Sequence, residues 1–296
     1  MNPKVSVIMS VYNNEQYLHE SIESILNQAF EDFEFIIADD GSTDGTAGIL
    51  KEYSQKDNRI RLISHPNMGV AGSSNHAIRL SRSEYIARQD GDDVSLPERL
   101  EKEFDYLKAN PEIELVASWV YIIDEHSNII LEKKLPEDNV VKRMLAYDNL
   151  ISHSSVMYRK SKFFEYGCYD ERYKYGTDTR LFRKMKSLHI LKEPLLKYRW
   201  GLDNITHSKF CDKMGKEYSL EFAKERKIRF FSSLLIQQNE QDKARALLKK
   251  AAKSPRHFFY YLLTFLPPAL INFYMWRLRY ILKRILAVFS PYYRRR

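Results

Sequence analysis

Short apolar runs and helical-period segments alternate through the first part of the chain. Val5 to Val11 is a run of β-formers long enough for one buried strand. After Tyr12-Asn13-Asn14, apolar side chains recur at Leu18, Ile22, Ile25, Leu26 and Ala29, which is helical spacing. Phe33 to Ala38 predicts a second strand, a helix follows to about Tyr53, and Ile60 to Ser64 predicts a third strand. The turn Pro66-Asn67-Met68-Gly69 leads into a helix over Gly72 to Leu80, and Tyr85-Ile86-Ala87 is a short strand. A helix over Pro97 to Leu107 and a long strand over Ile113 to Ile123 come next. Strand–helix alternation of this kind predicts an α/β, doubly wound sheet with ligands at the carboxyl ends of its strands. From Ile123 to Tyr198 strands and helices mix, which predicts an antiparallel extension and so a mixed sheet, and Glu217 to Lys253 is helical and charged.

Two predicted strands run into acidic clusters. After the fourth strand stands Asp90-Gly91-Asp92-Asp93, three carboxylates in four residues. Such carboxylates repel one another unless a cation or solvent compensates. A hard divalent ion takes oxygen ligands and bridges phosphate oxygens, and Gly91 would let a diphosphate approach the backbone. Taken alone, the segment is equally a solvated acidic turn, since Asp and Gly are common turn formers. The second cluster is Asp39-Asp40-Gly41-Ser42-Thr43-Asp44. A carboxylate there can accept a hydrogen bond from a base N–H or a ribose hydroxyl, whereas Ser42, Thr43 and Asp44 suit capping of the next helix better.

The company these clusters keep gives them a meaning. Val5 through Asn13 resembles the opening of the family 2 glycosyltransferases, and Asp39 through Asp44 resembles that family's nucleotide loop. Asn67-Met68-Gly69 with Asn75 resembles the next motif, and Asp90-Gly91-Asp92-Asp93, followed by Pro97 and Arg99, resembles its DxD metal motif. His153-Ser154-Ser155-Val156-Met157, Asp178-Thr179-Arg180-Leu181 and Tyr198-Arg199 follow in the family's order, so the likeness covers residues 3 to 210.

The resemblance implies a GT-A fold and inversion at the anomeric carbon of a nucleotide-sugar donor. On its positions, Val11 and Tyr12 would line the base pocket, with Asp39 and Asn75 beside it. Asp40 would bond the base, at a uracil imide N–H if the donor is a UDP-sugar. Asp90 and Gly91 would meet the ribose and diphosphate. Asp92, with Asp90, would hold Mn2+ or Mg2+, and Asp178 would be the general base. Two positions depart from the family's pattern: Thr177 stands where an acidic residue often precedes the base, and Ser74 where a basic residue commonly precedes the Asn. His153 would contact donor or acceptor and His207 would approach the metal, although a lone His is more often a structural hydrogen-bonder. Trp200 suits sugar stacking or the core.

Charge adds a second region. From Lys243 to Arg296 there are thirteen Lys or Arg and no Asp or Glu, which leaves the preceding residues with 34 basic and 39 acidic side chains. Positive charge placed in a tail, away from the main domain, argues against a nucleic-acid partner. Within it, Phe258 to Trp276 is uncharged and aromatic but broken by Pro267-Pro268, and basic residues flank it on both sides. A helix–break–helix lying among anionic headgroups fits this pattern, and a helical hairpin packed on protein or in an oligomer contact is the alternative. The expected organisation is a catalytic domain over residues 1–210 and a helical, basic-aromatic extension over 211–296 that associates with a membrane. The early apolar run is too short for a secretory signal, and Cys168 and Cys211 have no metal-ligand spacing, so a cytoplasmic protein peripheral to the inner face of the plasma membrane is expected.

The acceptor expected is a glycan or lipid-linked oligosaccharide of a surface polysaccharide. The rivals are a soluble transferase acting on a protein or small acceptor, and a regulatory protein that binds nucleotide-sugars without turnover. Asp92 together with Asp178 argues against the last.

Overall fold

The computed structural model describes residues 2–146 and 149–200, with Asp242 and Ala244 beyond them. The chain divides into two compact units, Met1–Gly201 and Leu202–Arg296. Apart from Asp242 and Ala244, which are helical, the expected helix over 217–253 lies outside the described residues, as do His207, Cys211 and the aromatic run of the tail.

Strands β1 (Val5–Val11), β2 (Phe33–Asp39), β3 (Ile60–Ser64) and β4 (Tyr85–Gln89) lie parallel in the order β3-β2-β1-β4. Their crossovers are helices α1 (Leu18–Leu26), α2 (Thr46–Lys56) and α3 (Gly69–Leu80). All seven residues of β2 are buried, because a strand in mid-sheet is covered on both faces and needs an unbroken apolar run. Successive residues of β1 alternate between two cores. Ile8 joins Ile36 and Ile86 on one face, and Val7 and Met9 join Phe35, Ile37 and Ala87 on the other.

Beyond β4 the direction changes. The short strand β5 (Val94–Ser95) and helix α4 (Arg99–Ala109) lead to β6 (Leu115–Ile123), its partner β7 (Ile129–Lys133) and helix α5 (Asp138–Met144). A 3-10 turn at His153–Ser155 opens β8 (Val156–Arg159), which is followed by helices α6 (Lys160–Glu165) and α7 (Thr177–Lys184) and by β9 (Leu188–Arg199). β8 is antiparallel to both β4 and β6, and β9 is parallel to β6. β5 is antiparallel to β9. The result is a mixed nine-stranded sheet, the GT-A fold, whose change of direction falls beside the strand that carries the acidic loop.

α3 starts at Gly69 rather than Gly72, because the Asp40 carboxylate holds the Met68 N–H at 2.7 Å and Gly69 takes the left-handed φ of +80° that turns the chain into the helix. β5 lies outside the sequence expectations, since two residues carry no period.

Candidate active site

The acidic loop after β4 is braced from three sides. Beneath it, Gln89 Nε2 donates to the Asp93 carbonyl at 2.7 Å, and Gln89 Oε1 accepts from Ser95 and Arg99. Arg99 is itself fully buried, and also donates to the Arg88 carbonyl and to Glu103. Behind the loop, the Asp90 N–H donates to Ser154 Oγ at 2.9 Å. On the far side, Arg199 Nε donates to the Asp92 carbonyl at 2.8 Å and the Arg199 N–H to Asp93 Oδ1 at 2.9 Å.

Gly91 has a sterically defined reason that differs from the expected one. A Cβ at this position would lie 2.7 Å from Val11 Cγ1 and 3.1 Å from Asn14 Nδ2, so the loop can close on β1 only without a side chain. Gly91→Ala is therefore expected to cost about 1–3 kcal/mol through overpacking. A urea titration of the variant beside the parent checks it.

The three carboxylates are not equivalent. Burial opposes ionisation of Asp90, but His153, the Arg88 guanidinium and Ser154 outweigh it and hold the carboxyl well below the usual range. Asp92 is pushed up to about 7, by burial first and then by the charge of Asp90. Asp93 is raised further by burial and by both neighbours, and its buried Oδ2 has no hydrogen-bond partner. Asp93 Oδ1 is committed to β9, so the loop offers Asp90 and Asp92 outward. An all-oxygen pair suits a hard divalent ion, and a cation beside Asp92 would relieve the burial and the repulsion from Asp90 that oppose its ionisation. No group of three or more His, Cys, Asp or Glu in a metal-binding arrangement occurs among the described residues. The pair therefore fits an ion whose remaining positions are filled by substrate phosphates and water, as is usual for Mg2+.

The nucleotide loop separates its two aspartates. Asp39 Oδ1 accepts from the Ser42 N–H at 3.0 Å and so shapes the turn. Asp40 Oδ1 accepts from the Met68 N–H and lies 3.4 Å from His65 Nδ1, and only its Oδ1 is so engaged. Asn13 locks the loop to the end of β1, accepting from the Thr43 N–H at 2.8 Å and donating its own N–H to Ser42 Oγ at 3.0 Å. Ser42 thus serves Asn13 and not the helix, whereas Asp44 does hold a first-turn amide, that of Thr46. Val11 is buried against the acidic loop, and Tyr12 beside it is 50% exposed.

Asn75 and His153 are placed differently from the contacts expected of them. Asn75 is buried, and its amide brackets the Tyr169 backbone, donating to the carbonyl at 2.9 Å and accepting from the N–H at 3.1 Å. Its second amide hydrogen goes to Glu171, so no donor is left for a nucleotide. The His153 ring meets Asp90 through Nδ1 and Tyr169 and Arg88 through Nε2. Trp200 is buried, as its core alternative had it.

Asp178 sits in the first turn of α7, entered through Gly176 at a φ of +69°. A carboxylate is favoured at that end of a helix. Asn149 Nδ2 donates to Asp178 Oδ2 at 2.7 Å, and Thr179 Oγ1 to Oδ1 at 3.3 Å. The Tyr169 phenol is pushed up to about 12, chiefly by burial, and the carboxylates of Asp178 and Asp90 both contribute. Arg88, Asn149 and Tyr169 were missed from sequence. Arg88 alone left a signal, a charge inside an otherwise buried strand.

A parallel half-sheet with two acidic strand ends, continued by an antiparallel extension, defines the GT-A class of fold. The sequence profile of glycosyl transferase family 2 matches residues 6–185, and the chain belongs to that family. An uncharacterized glycosyltransferase of Methanocaldococcus jannaschii is 44% identical over 207 residues, covering 67% of this chain and 71% of that one. The O-antigen biosynthesis glycosyltransferase WbnJ of Escherichia coli is 34% identical over 238 residues, covering 78% and 93%. Among solved structures, S. aureus TarS 1-349 in complex with UDP aligns with a TM-score of 0.56 at 19% identity, covering 83% of this chain and 79% of that one. The same protein in complex with UDP-GlcNAc gives 0.57.

Proposed function

We propose that this chain is an inverting glycosyltransferase that moves a sugar from a UDP-sugar to a hydroxyl of a glycan or lipid-linked oligosaccharide in surface polysaccharide biosynthesis. The observation that carries the reading is the braced acidic loop at the end of β4, held by Gln89, Ser154 and Arg199, in a chain that the family 2 profile matches over residues 6–185. The similarity to an O-antigen transferase and to a fold that holds UDP and UDP-GlcNAc supports the acceptor and donor classes.

In this reading Tyr12 stacks on the base and the Asp40 carboxylate accepts its imide N–H. Asp90 and Asp92 hold Mn2+ or Mg2+, and Asp92 is its principal ligand. When bound, the ion supplies Lewis-acid stabilisation of the charge that grows on the leaving diphosphate. Asp178 takes the proton from the acceptor hydroxyl as that oxygen attacks the anomeric carbon from the opposite face. Asn149 and Thr179 orient the carboxylate for this. One displacement with one base inverts the centre.

A thermal-shift screen of nucleotide-sugars with and without Mn2+ tests the proposal. A donor raises the melting point by mass action, and more so with metal present. A chain that no nucleotide-sugar stabilises under either condition would contradict the reading.

The tail extends the proposal to location, at the inner face of the plasma membrane. Each Lys or Arg near an anionic surface contributes about 1 kcal/mol, and the thirteen basic residues from Lys243 onward act together with the aromatic run. No helix among the described residues is long and apolar enough to cross a membrane. The full chain is expected to float with anionic liposomes, to release as salt is raised, and to ignore neutral ones. Equal flotation with both lipids would remove the electrostatic part.

A further inference from the structure

Behind the acidic loop three groups meet that the chemistry above does not use: the Arg88 guanidinium, the His153 imidazole and the Tyr169 phenol. Arg88 Nε–H donates to His153 Nε2 at 3.2 Å. A guanidinium nitrogen is a donor only, so the ring nitrogen facing it must be the one without a proton. The Tyr169 hydroxyl stands 2.9 Å from the same nitrogen and 3.2 Å from the Tyr158 hydroxyl, and it can donate to either. The ring proton is left on Nδ1, 3.2 Å from Asp90 Oδ1. The guanidinium is fully buried, and its Nη1 and Nη2 lack hydrogen-bond partners.

We propose that Arg88 and His153 are positioning residues for Asp90: Arg88 Nε–H holds the ring by Nε2, so that Nδ1–H faces the Asp90 carboxylate and holds it by Oδ1. Arg88 Nη2, 3.6 Å from Asp90 Oδ1, adds its charge on the same oxygen, so Oδ2 is the one presented to the donor. Asn75 belongs to the same device, because it fixes the backbone of Tyr169 and so the phenol that closes the far side of the ring. The inference rests on the donor reading only for what Asp90 meets. The state of the ring is independent of it.

The test has two arms. In the metal-free full chain with 15N-labelled imidazoles, His153 is identified by the signal lost in His153→Asn. Its Nδ1 is expected to carry the proton and Nε2 to be bare, and in Arg88→Lys, which keeps the charge but not the Nε–H, the two forms should mix. A ring that carries its proton on Nε2 with Nδ1 bare overturns the proposal, as does an Arg88→Lys protein with an unchanged ring. In the second arm UDP with Mg2+ is titrated into His153→Asn and His153→Gln. The Asn amide nitrogen stands where Nδ1 stood and the Gln nitrogen where Nε2 stood. Asn should bind UDP within about threefold of the parent and Gln about tenfold or more weaker, the effect of a lost hydrogen bond to a charged group. Equal losses in the two variants overturn the positioning role. A parent chain that binds no UDP sinks the donor reading while leaving the first arm to decide this one.

Discussion

Asp178→Asn is expected to lower turnover about a thousandfold while UDP affinity stays within about threefold of the parent, because a general base acts only as the acceptor proton moves. The substitution is a mild one for the fold. Asn149 donates to Asp178 Oδ2, and an Asn amide oxygen in the same place accepts that hydrogen bond unchanged. What is lost is the basic oxygen. Single-turnover measurement with saturating donor, beside calorimetric titration with UDP, separates the two quantities. A folded variant that turns over near the parental rate would move the base to another residue.

Asp92→Asn is expected to abolish the metal dependence of UDP binding, leaving a single weak affinity with or without Mn2+. The state of Asp92 adds a pH signature in the parent. Its carboxyl, ordinarily near 3.8, is pushed up to about 7 by burial and by Asp90. In the metal-free protein the folded state therefore holds a proton that the unfolded state has lost between those values, and this group's contribution to stability declines as the pH rises through that window. A cation competes for the same oxygen and reverses the trend, since ligands must be deprotonated to bind metal. The rise in melting point on adding Mn2+ and UDP should accordingly be larger at pH 8 than at pH 6 in the parent, and alike at the two pH values in Asp92→Asn. Calorimetry and thermal shift at the two pH values test both. If the variant keeps the parental metal dependence, Asp92 is not the ligand.

The strands that frame the site were legible because burial on both faces demands unbroken apolar runs, as at Val5 to Val11 and Phe33 to Ala38. β5 and β8 were not, since a two-residue or four-residue pairing is decided by the strand it meets and not by its own pattern. The acidic strand ends were visible as clusters, but a cluster does not rank its members. Only the hydrogen bonds distinguish Asp39, which shapes its own turn, from Asp40, and Asp93, tied to β9, from Asp92. Gly91 was found from its place in the acidic cluster, but its contact with Val11 and Asn14 was not, because that contact depends on how the loop closes across the sheet. Asn75 and His153 carried the expected residue types, yet their partners lie far away in sequence, at Tyr169 and Arg88. Proximity of that kind has no local signature.

Arg199 closes the acidic loop from the last strand, with its guanidinium shared among the Asp92 carbonyl, the Asp124 carbonyl, Ser127 and Glu20 while it lies over the Tyr17 ring. These partners come from three separate stretches of chain, and the residue that gathers them is translated after all of them. A growing polypeptide can therefore pair β1 to β4 and display every aspartate of the loop well before the loop has its final shape. Long-range contacts of this order are the slow ones in folding. During synthesis the acidic loop is thus among the last parts of this sheet to mature, and a nascent chain halted before residue 199 would carry the acidic residues without the loop geometry that Arg199 imposes.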